Sequence, residues 1–554
     1  MHNDGGVATY QQTNWSHDFI MELETYLPMN NKEQVEKLEG KVKAMLHDYE
    51  NNGSSVLQLL ELIDDIERLG LGYRFETSIT RILNKVASIN ETKEGDEDNL
   101  HAVSLKFRLL RQHGYSVSQG FLERFKDAHG GFIGSLQTDV KALLSMYEAS
   151  YLALEGELDL QEAKLFATTN LLKLRGHVNK EMEDHINHAL DVPLFRRIHR
   201  LQARWYIDAY SKQKDANQVL LSLAILDFNM VQLAHKREIQ DVSKWWENIG
   251  LASKLSFIRD RIMECFFWSL GVVFEPQYYS CRVGLTKVCA LITTIDDIYD
   301  VYGSIDELKL FTNVVKRWDI DEEEHIPEYI KVGFLALYNT INEMGYDHLL
   351  ITQGKNIIPI LTKVWGDFCE ALYVEAKWTQ TGYIPTLEEY LDNAWRSASG
   401  VVILTHAYFL MNQDHKTDPI ESLEKCHDLF KWSSVIFRLN NDLATSVDEI
   451  NRGKTANAIS CYMQENNVSE EVAREYINTL TDKAWGNMIE ARVSCSKKLA
   501  DPFVDVAINL ARMSHCTYQH GDGHGAPDAR AKERVLSVIV EPISIWEKDH
   551  QYFE

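Results

Sequence analysis

A chain of 554 residues is too long for one ordinary core, so two domains are the first expectation. A composition of 45% hydrophobic and 25% charged residues excludes wholesale disorder, and only 10 prolines, with apolar residues recurring every third or fourth position, indicate nearly all helix. A formal net charge of −25 argues against nucleic acid and an anionic membrane surface as partners; an anionic substrate would need cations supplied locally.

In chain order, residues 1–24 read as a polar arm anchored by Trp15, Phe19 and Ile20. The arm has neither the apolar core of a signal peptide nor the basic, serine-rich character of a transit peptide. Helical patterns follow at 33–49 and 59–70, then an acidic loop at 91–98 and more helical patterns at 101–117, 139–154 and 161–174. SKQKDANQ (211–218) interrupts the apolar pattern and divides an N-terminal domain, 25–215, from a C-terminal one, 222–554. The stretch 255–271 carries Arg259 and Arg261 on a helix running into Phe266, Phe267 and Trp268. An acidic linker over 319–327 puts Pro327 at the first turn of the next helix. HGDGHGAPDAR (520–530) is a glycine-rich loop long enough to act as a lid. The eight cysteines, Cys289 among them, follow no metal-ligand or disulfide spacing, which fits a reducing compartment, and no apolar run reaches transmembrane length.

The chemistry concentrates in two stretches. In LITTIDDIYDVYG (291–303), Asp296 and Asp300 stand four apart on one helix face, with Asp297 one step round. Burying carboxylates is costly unless they are paired or bind a metal, and a shared wall of them suits a hard divalent ion. The alternative is a helix ending in solvent, capped by Gly303. In FRLNNDLATSVDEI (437–450), Asn441, Thr445 and Glu449 put three oxygen donors on one face, a pattern that otherwise marks a solvent face. Arg259 and Arg261 read either as partners of Asp260 or Glu264 or as a fork for oxyanions beside an aromatic wall.

DDIYD (296–300) and NDLATSVDE (441–449), with IRDR (258–261), FEPQY (274–278), RLNND (438–442) and YQHGDG (518–523) in order, resemble the motifs of class I plant terpene synthases. LELIDDIERLGLGYRFE (60–76), FRLLRQHG (107–114) and LSMYEASYLALEGE (144–157) resemble the vestigial helical domain of that family. The nearest likeness is to the angiosperm branch holding monoterpene, isoprene, ocimene and α-farnesene synthases. The resemblance implies an all-α chain of two helical domains: a C-terminal class I terpenoid synthase fold and an N-terminal barrel-like domain without a catalytic site. It implies a small-molecule allylic diphosphate as substrate and three Mg²⁺ ions, with Mn²⁺ able to substitute. The expected state is a monomer, with a homodimer as the alternative. By position, Asp296 and Asp300 would hold two ions, supported by Asp297, while Asn441, Thr445 and Glu449 would hold the third. Arg259 and Arg438 would contact the diphosphate, with Arg261 a further candidate; Asn457, near Lys454, is another polar contact. Trp268 would face the carbocation, Ser397 and Gly400 would mark a helix break whose carbonyls point at it, and Tyr518 and Asp522 would close the site or take the final proton.

Three departures from the family pattern shape the substrate reading. No DxDD run appears in the N-terminal half, so protonation-initiated chemistry is not suggested. Gly5 and Gly6 stand where the branch has tandem arginines associated with cyclisation, which favours an acyclic product. Phe437 matches one of two phenylalanines that pinch isoprene synthase cavities, but Cys289 replaces the other, leaving room for a C10 or C15 chain. The expectation is therefore geranyl diphosphate converted to an ocimene, myrcene or linalool type. The alternatives are farnesyl diphosphate giving farnesene or nerolidol, and a non-catalytic isoprenoid-diphosphate-binding scaffold. Prenyl-chain elongation is disfavoured by the Asn/Thr/Glu form of the second motif. Localisation is expected in plastids for a processed chain and in the cytoplasm for a native start.

Overall fold

The computed structural model describes residues 11–25, 30–51, 55–88, 98–319, 326–352, 356–411, 423, 427–495 and 502–544. Gly5 and Gly6, most of the acidic loop at 91–98, most of the linker at 319–327, and Cys426 lie outside these residues. Among the described residues every regular element is a helix, apart from one isolated antiparallel bridge between Lys126 and Phe132. Many helices start where a short polar side chain caps them. Ser55 and Gln58 form a reciprocal capping box ahead of Val56–Arg68, and Asn99, Asp139, Asn179 and Thr386 accept from the first free N–H groups of other helices.

The chain forms two compact units. One comprises 26–233, 489–498 and 541–554, and its core is built from apolar faces such as Leu60, Ile63 and Ile66 with Ile79, Ile82 and Leu83. Tyr73 and Arg74 both hydrogen-bond the buried carboxylate of Asp227 at 2.6 Å. The other comprises 1–25, 234–488 and 499–540. The expected division at 215–222 is thus displaced to 233/234, inside the long helix Gln218–Ile249. The cause is packing: Leu220, Leu223, Ala224, Ile225 and Phe228 from the first half of that helix belong to the core of the first unit. Residues up to Thr25, the arm, group with the second unit. The segment Gln218–Lys254 is long and apolar enough to span a membrane by composition, contrary to the sequence reading, but 61% of its apolar window is buried, as in a core helix.

In the second unit, His427–Asn451 packs on Pro502–Tyr518, Ile262–Val272 on Tyr279–Asp297, and Ile305–Arg317 on Ile358–Thr381. Tyr279–Asp297 is tied down by Arg282, which is fully buried. Its Nε and Nη2 meet the two oxygens of Glu238 at 2.7 Å each, and Nη1 donates to the carbonyls of Val273 and Glu275. A bidentate buried pair of this kind is costly to break from one side, because the surviving charge is stranded. Arg282→Met should lower the unfolding free energy by about 3–5 kcal/mol in urea titrations. Adding Glu238→Gln to that variant should restore part of the loss.

Candidate active site

A cavity of about 120 Å³ opens in the second unit. Its first wall is the end of Tyr279–Asp297, where the backbone widens into a π-helical turn, Ile298–Tyr302. Such turns redirect side chains within a helix. Gly303 closes the turn through an N–H bond to Ile298 O of 2.9 Å, and a Cβ there would sit 2.5 Å from Leu308. Gly303 is therefore required for close approach. Asp296 and Asp300 both line the cavity, so the reading of a helix end in open solvent does not hold. Asp297 is turned away and fully buried: it accepts from the Arg259 backbone N–H at 2.7 Å and pairs with Arg259 Nε at 2.8 Å. Asp297, expected to support the two cavity aspartates, does not itself line the cavity. It steadies Arg259, whose Nη2 reaches Asp296 Oδ2 at 2.6 Å.

The facing wall is His427–Asn451. Phe437, Arg438, Asn441, Thr445 and Glu449 all line the cavity. Asp442, the neighbour of Asn441, does not line the cavity and is held by Tyr390 Oη and Ala458 N–H at 2.8 Å each. Arg438 donates to Asn441 Oδ1, Ser397 Oγ and the Ala394 carbonyl.

Between the walls lies Lys454, with Nζ 2.6 Å from Asp300 Oδ2 and 3.9 Å from Glu449 Oε1. Burial pushes the Asp300 carboxyl up to about 7; Lys454 opposes the shift, while Asp296 and Glu449 add to it. Burial also works against the Asp296 charge, but Arg259 and Lys454 beside it hold its carboxyl below the usual range. Carboxylates, an amide and a hydroxyl oxygen thus converge from two sides, the donor chemistry of a hard divalent cation. Among the described residues no three His, Cys, Asp or Glu groups meet closely enough to hold an ion alone. The donors are divided between the walls, and Asn441 and Thr445 supply part of the set.

The other end of the cavity is aromatic. Trp268 lies 4.9 Å from Phe437 and 6.2 Å from Tyr518, centroid to centroid, and Cys289 lines the same space. Ser397 lines it too, followed by a break at Ser399, whose φ of 65° is a strained value for a residue with a Cβ. Gly400 does not line the cavity; a Cβ there would strike Ser434, which explains the glycine by packing. Asn457 is likewise absent from the cavity, because it is fully buried as the N-cap of Ala458–Asn466. Arg261 is also elsewhere, bonded to backbone carbonyls.

From the glycine-rich loop, Asp522 lines the cavity while its Oδ1 accepts the N–H groups of His524 and Gly525. Burial, with Asp522 nearby, holds the Tyr518 phenol protonated well above its usual range. The sequence reading missed His524, Thr293 and Glu375, which also line the cavity. His524 Nε2 lies 3.0 Å from Thr293 Oγ1, and burial and Arg259 push its pKa down to about 4. Glu375 accepts from Ser397 Oγ. One carboxylate among three on its helix and a histidine in a loop carry no periodicity that would have marked them.

The metal binding domain of the terpene synthase family matches residues 247–487, and the terpene synthase N-terminal domain matches residues 14–190. The chloroplastic (E)-beta-ocimene synthase of Matricaria chamomilla var. recutita is 64% identical over 548 residues, spanning 97% of this chain and 91% of the relative. The crystal structure of isoprene synthase from grey poplar leaves, in complex with three Mg²⁺ ions and dimethylallyl-S-thiolodiphosphate, superposes with a TM-score of 0.88 at 49% identity, covering 97% of this chain and all of that one. Limonene synthase with 2-fluorolinalyl diphosphate gives a TM-score of 0.90 at 38% identity, over 97% of this chain and 99% of that one. The helical folds agree over nearly the whole length, and the chain belongs to the terpene synthase family, as a class I plant terpene synthase of the branch that holds its ocimene, isoprene and limonene relatives.

Proposed function

We propose that this chain ionises geranyl diphosphate and converts the resulting cation to an acyclic monoterpene of the ocimene, myrcene or linalool type, releasing diphosphate. The observation that carries the reading is the polarity of one cavity. Oxygen donors and cationic side chains, Asp296, Asp300, Asn441, Glu449, Arg259 and Arg438, share it with the aromatic group Trp268, Phe437 and Tyr518. The likeness to an (E)-beta-ocimene synthase supports the C10 acyclic outcome, and the isoprene synthase complex supports Mg²⁺.

Asp296 and Asp300 from one wall, and Asn441, Thr445 and Glu449 from the other, are the residues that would hold the ions. Mg²⁺, when bound, supplies positive charge at diphosphate oxygens where negative charge grows. Arg259 and Arg438 present N–H donors to the same oxygens, and each is steadied from behind by a carboxylate, Asp297 or Asp442. As the C–O bond breaks, the allylic cation is left beside Trp268, whose π face stabilises a cation by about 1–2 kcal/mol. Tyr518, held protonated, can donate a hydrogen bond but is not the group that takes up the final proton. The Cys289 side of the wall leaves room that a second pinching phenylalanine would fill.

Incubation with Mg²⁺ and, separately, dimethylallyl, geranyl and farnesyl diphosphates, followed by mass spectrometry of volatiles, tests the assignment. Geranyl diphosphate should give the fastest diphosphate release and a mainly acyclic C10 product; a mainly C15, C5 or cyclic product would overturn it. Asp296→Ala and Glu449→Ala should each lower turnover at least about a hundredfold with unchanged circular dichroism.

The proton affinity of Asp300 makes a second test. Its folded pKa lies near 7, above the ordinary 3.8, so between those values the folded chain holds a proton that the unfolded chain does not. Its contribution to stability is therefore present at low pH and lost as pH rises through about 7. In EDTA, the stability of the wild type relative to Asp300→Asn should improve as pH falls from about 8 to about 6. Thermal melts should also show the Mg²⁺-induced gain in Tm shrinking over the same fall, because the ion and the proton compete for one carboxylate.

A further inference from the structure

Arg261 holds a position that its motif did not suggest. It is 2% exposed and does not line the cavity. Neither carboxylate proposed for it is its hydrogen-bond partner; Asp260, for one, accepts from Trp246 Nε1 at 3.0 Å. Four of its N–H···O bonds instead end on main-chain carbonyls. Nη1 donates to Asp260 O at 2.8 Å, Nε to His524 O at 3.1 Å, and Nη2 to both Gly525 O at 3.0 Å and Gln11 O at 2.5 Å. One guanidinium therefore joins the N-terminal arm to the loop that carries Asp522 and His524 into the cavity.

Each of the two segments has its own attachment. The arm is fixed further along by the buried Trp15, by His17 Nδ1 at 2.8 Å from Ser243 Oγ, by Gln240 donating to three carbonyls at 20, 21 and 23, and by Arg237 donating to Thr25 O. The loop is shaped by Asp522 and attached through His524 to Thr293. What Arg261 adds is the link between the leading end of the arm and the loop. A planar fork of donors with no acceptor suits this duty, since it can hold carbonyls arriving from different directions; an ammonium presents one point and lacks the fork.

We propose that Arg261 is a positioning residue that latches the arm to the 520–528 loop, and thereby decides how well the cavity excludes water during the reaction. The allylic cation can end in two ways. A neighbouring C–H bond breaks, its electron pair becomes the new C=C bond and the proton leaves to diphosphate. Alternatively, a water oxygen pair forms a C–O bond and the attached water loses its proton to the same acceptor. A latched arm and loop favour the first outcome by keeping water out.

Hydrogen exchange on the full chain tests the latch without turnover. In Arg261→Met, the Trp15 amide, bonded to Thr13 Oγ1 in the arm, and peptides covering 520–528 should both exchange at least about tenfold faster, while peptides from Tyr279–Asp297 keep their wild-type rates. Arg261→Lys should move both segments in the same direction, and it supplies the reading if the methionine variant does not fold. Unchanged protection, or loosening of one segment alone, would overturn the proposal. So would loss of inorganic diphosphate binding with both segments still protected, which would make Arg261 an oxyanion contact. The second readout rests on the ionisation reading: with geranyl diphosphate, the ratio of alcohol to olefin should rise about fivefold in either variant. An unchanged ratio would remove the water-exclusion role. A wild-type chain that releases no diphosphate would remove the ionisation reading and leave the exchange test standing.

Discussion

The constraint on which the rest of this structure depends is the crowding of mutually repelling carboxylates into one cavity. Asp296, Asp300 and Glu449 share one cavity, and their repulsion together with burial is felt at Asp300, which holds its proton to about 7. A protein accepts such a cost only where surrounding groups over-determine the arrangement. Here the cost is offset by three cations, Arg259 and Lys454 beside the aspartates and Arg438 on the facing helix. Lys454 matters most for the geometry, because its ammonium touches a carboxylate of the first motif and lies within ion-pair range of one from the second.

The two walls solve the same problem in the same way. On each, a donor that faces the cavity is followed by an aspartate that turns away: Asp296 by Asp297, Asn441 by Asp442. Each buried aspartate pairs with an arginine, Arg259 in the first case and Arg438 in the second. The ion pairs fix where the guanidinium groups point, which electrostatic stabilisation of a departing anion requires. The second aspartate of DDIYD thus lies behind the wall and pairs with Arg259, a placement that residue spacing alone does not separate from one facing the cavity.

Helical periodicity made much of this legible. The 3.6-residue repeat puts Asn441, Thr445 and Glu449 on one face whatever else the chain does, so a one-dimensional reading reaches the three-dimensional fact. The all-helical class followed from the same regularity. What stayed hidden depends on contacts between distant segments. Arg261 sits within a motif beside Arg259, yet the carbonyl of Gln11, 250 residues upstream, and those of the loop draw it away from the cavity. Asn457 looks like any polar residue near Lys454 until the helix it caps is seen. Gly400 was read as part of a break, but the strained residue is Ser399 and the glycine makes room for Ser434. The division between the compact units was misplaced for a related reason. A break in the apolar pattern marks the start of the Gln218–Ile249 helix, whereas the partition of cores inside that helix is a matter of packing.

The acidic net charge poses the question of how such a chain receives an anion at all. At physiological ionic strength, charges more than about 8 Å apart are largely screened, so the −25 formal charge spread over the chain acts weakly at any one point. Inside the cavity the balance is different, because Arg259, Arg438 and Lys454 each lie within 2.6 to 3.4 Å of a carboxylate in a space shielded from bulk solvent. The same low local dielectric that makes the carboxylates expensive makes those cations effective. An anion approaching without divalent ions would meet three cations already committed to Asp296, Asp297, Asp300 and Asp442. Divalent ions on Asp296 and Asp300 would release Arg259 and Lys454 from those two carboxylates, while Asp297 and Asp442 keep both arginines aimed. On the proposed reading, a metal held by the acidic walls would make them compatible with an anionic ligand and so tie ligand entry to metal loading by charge.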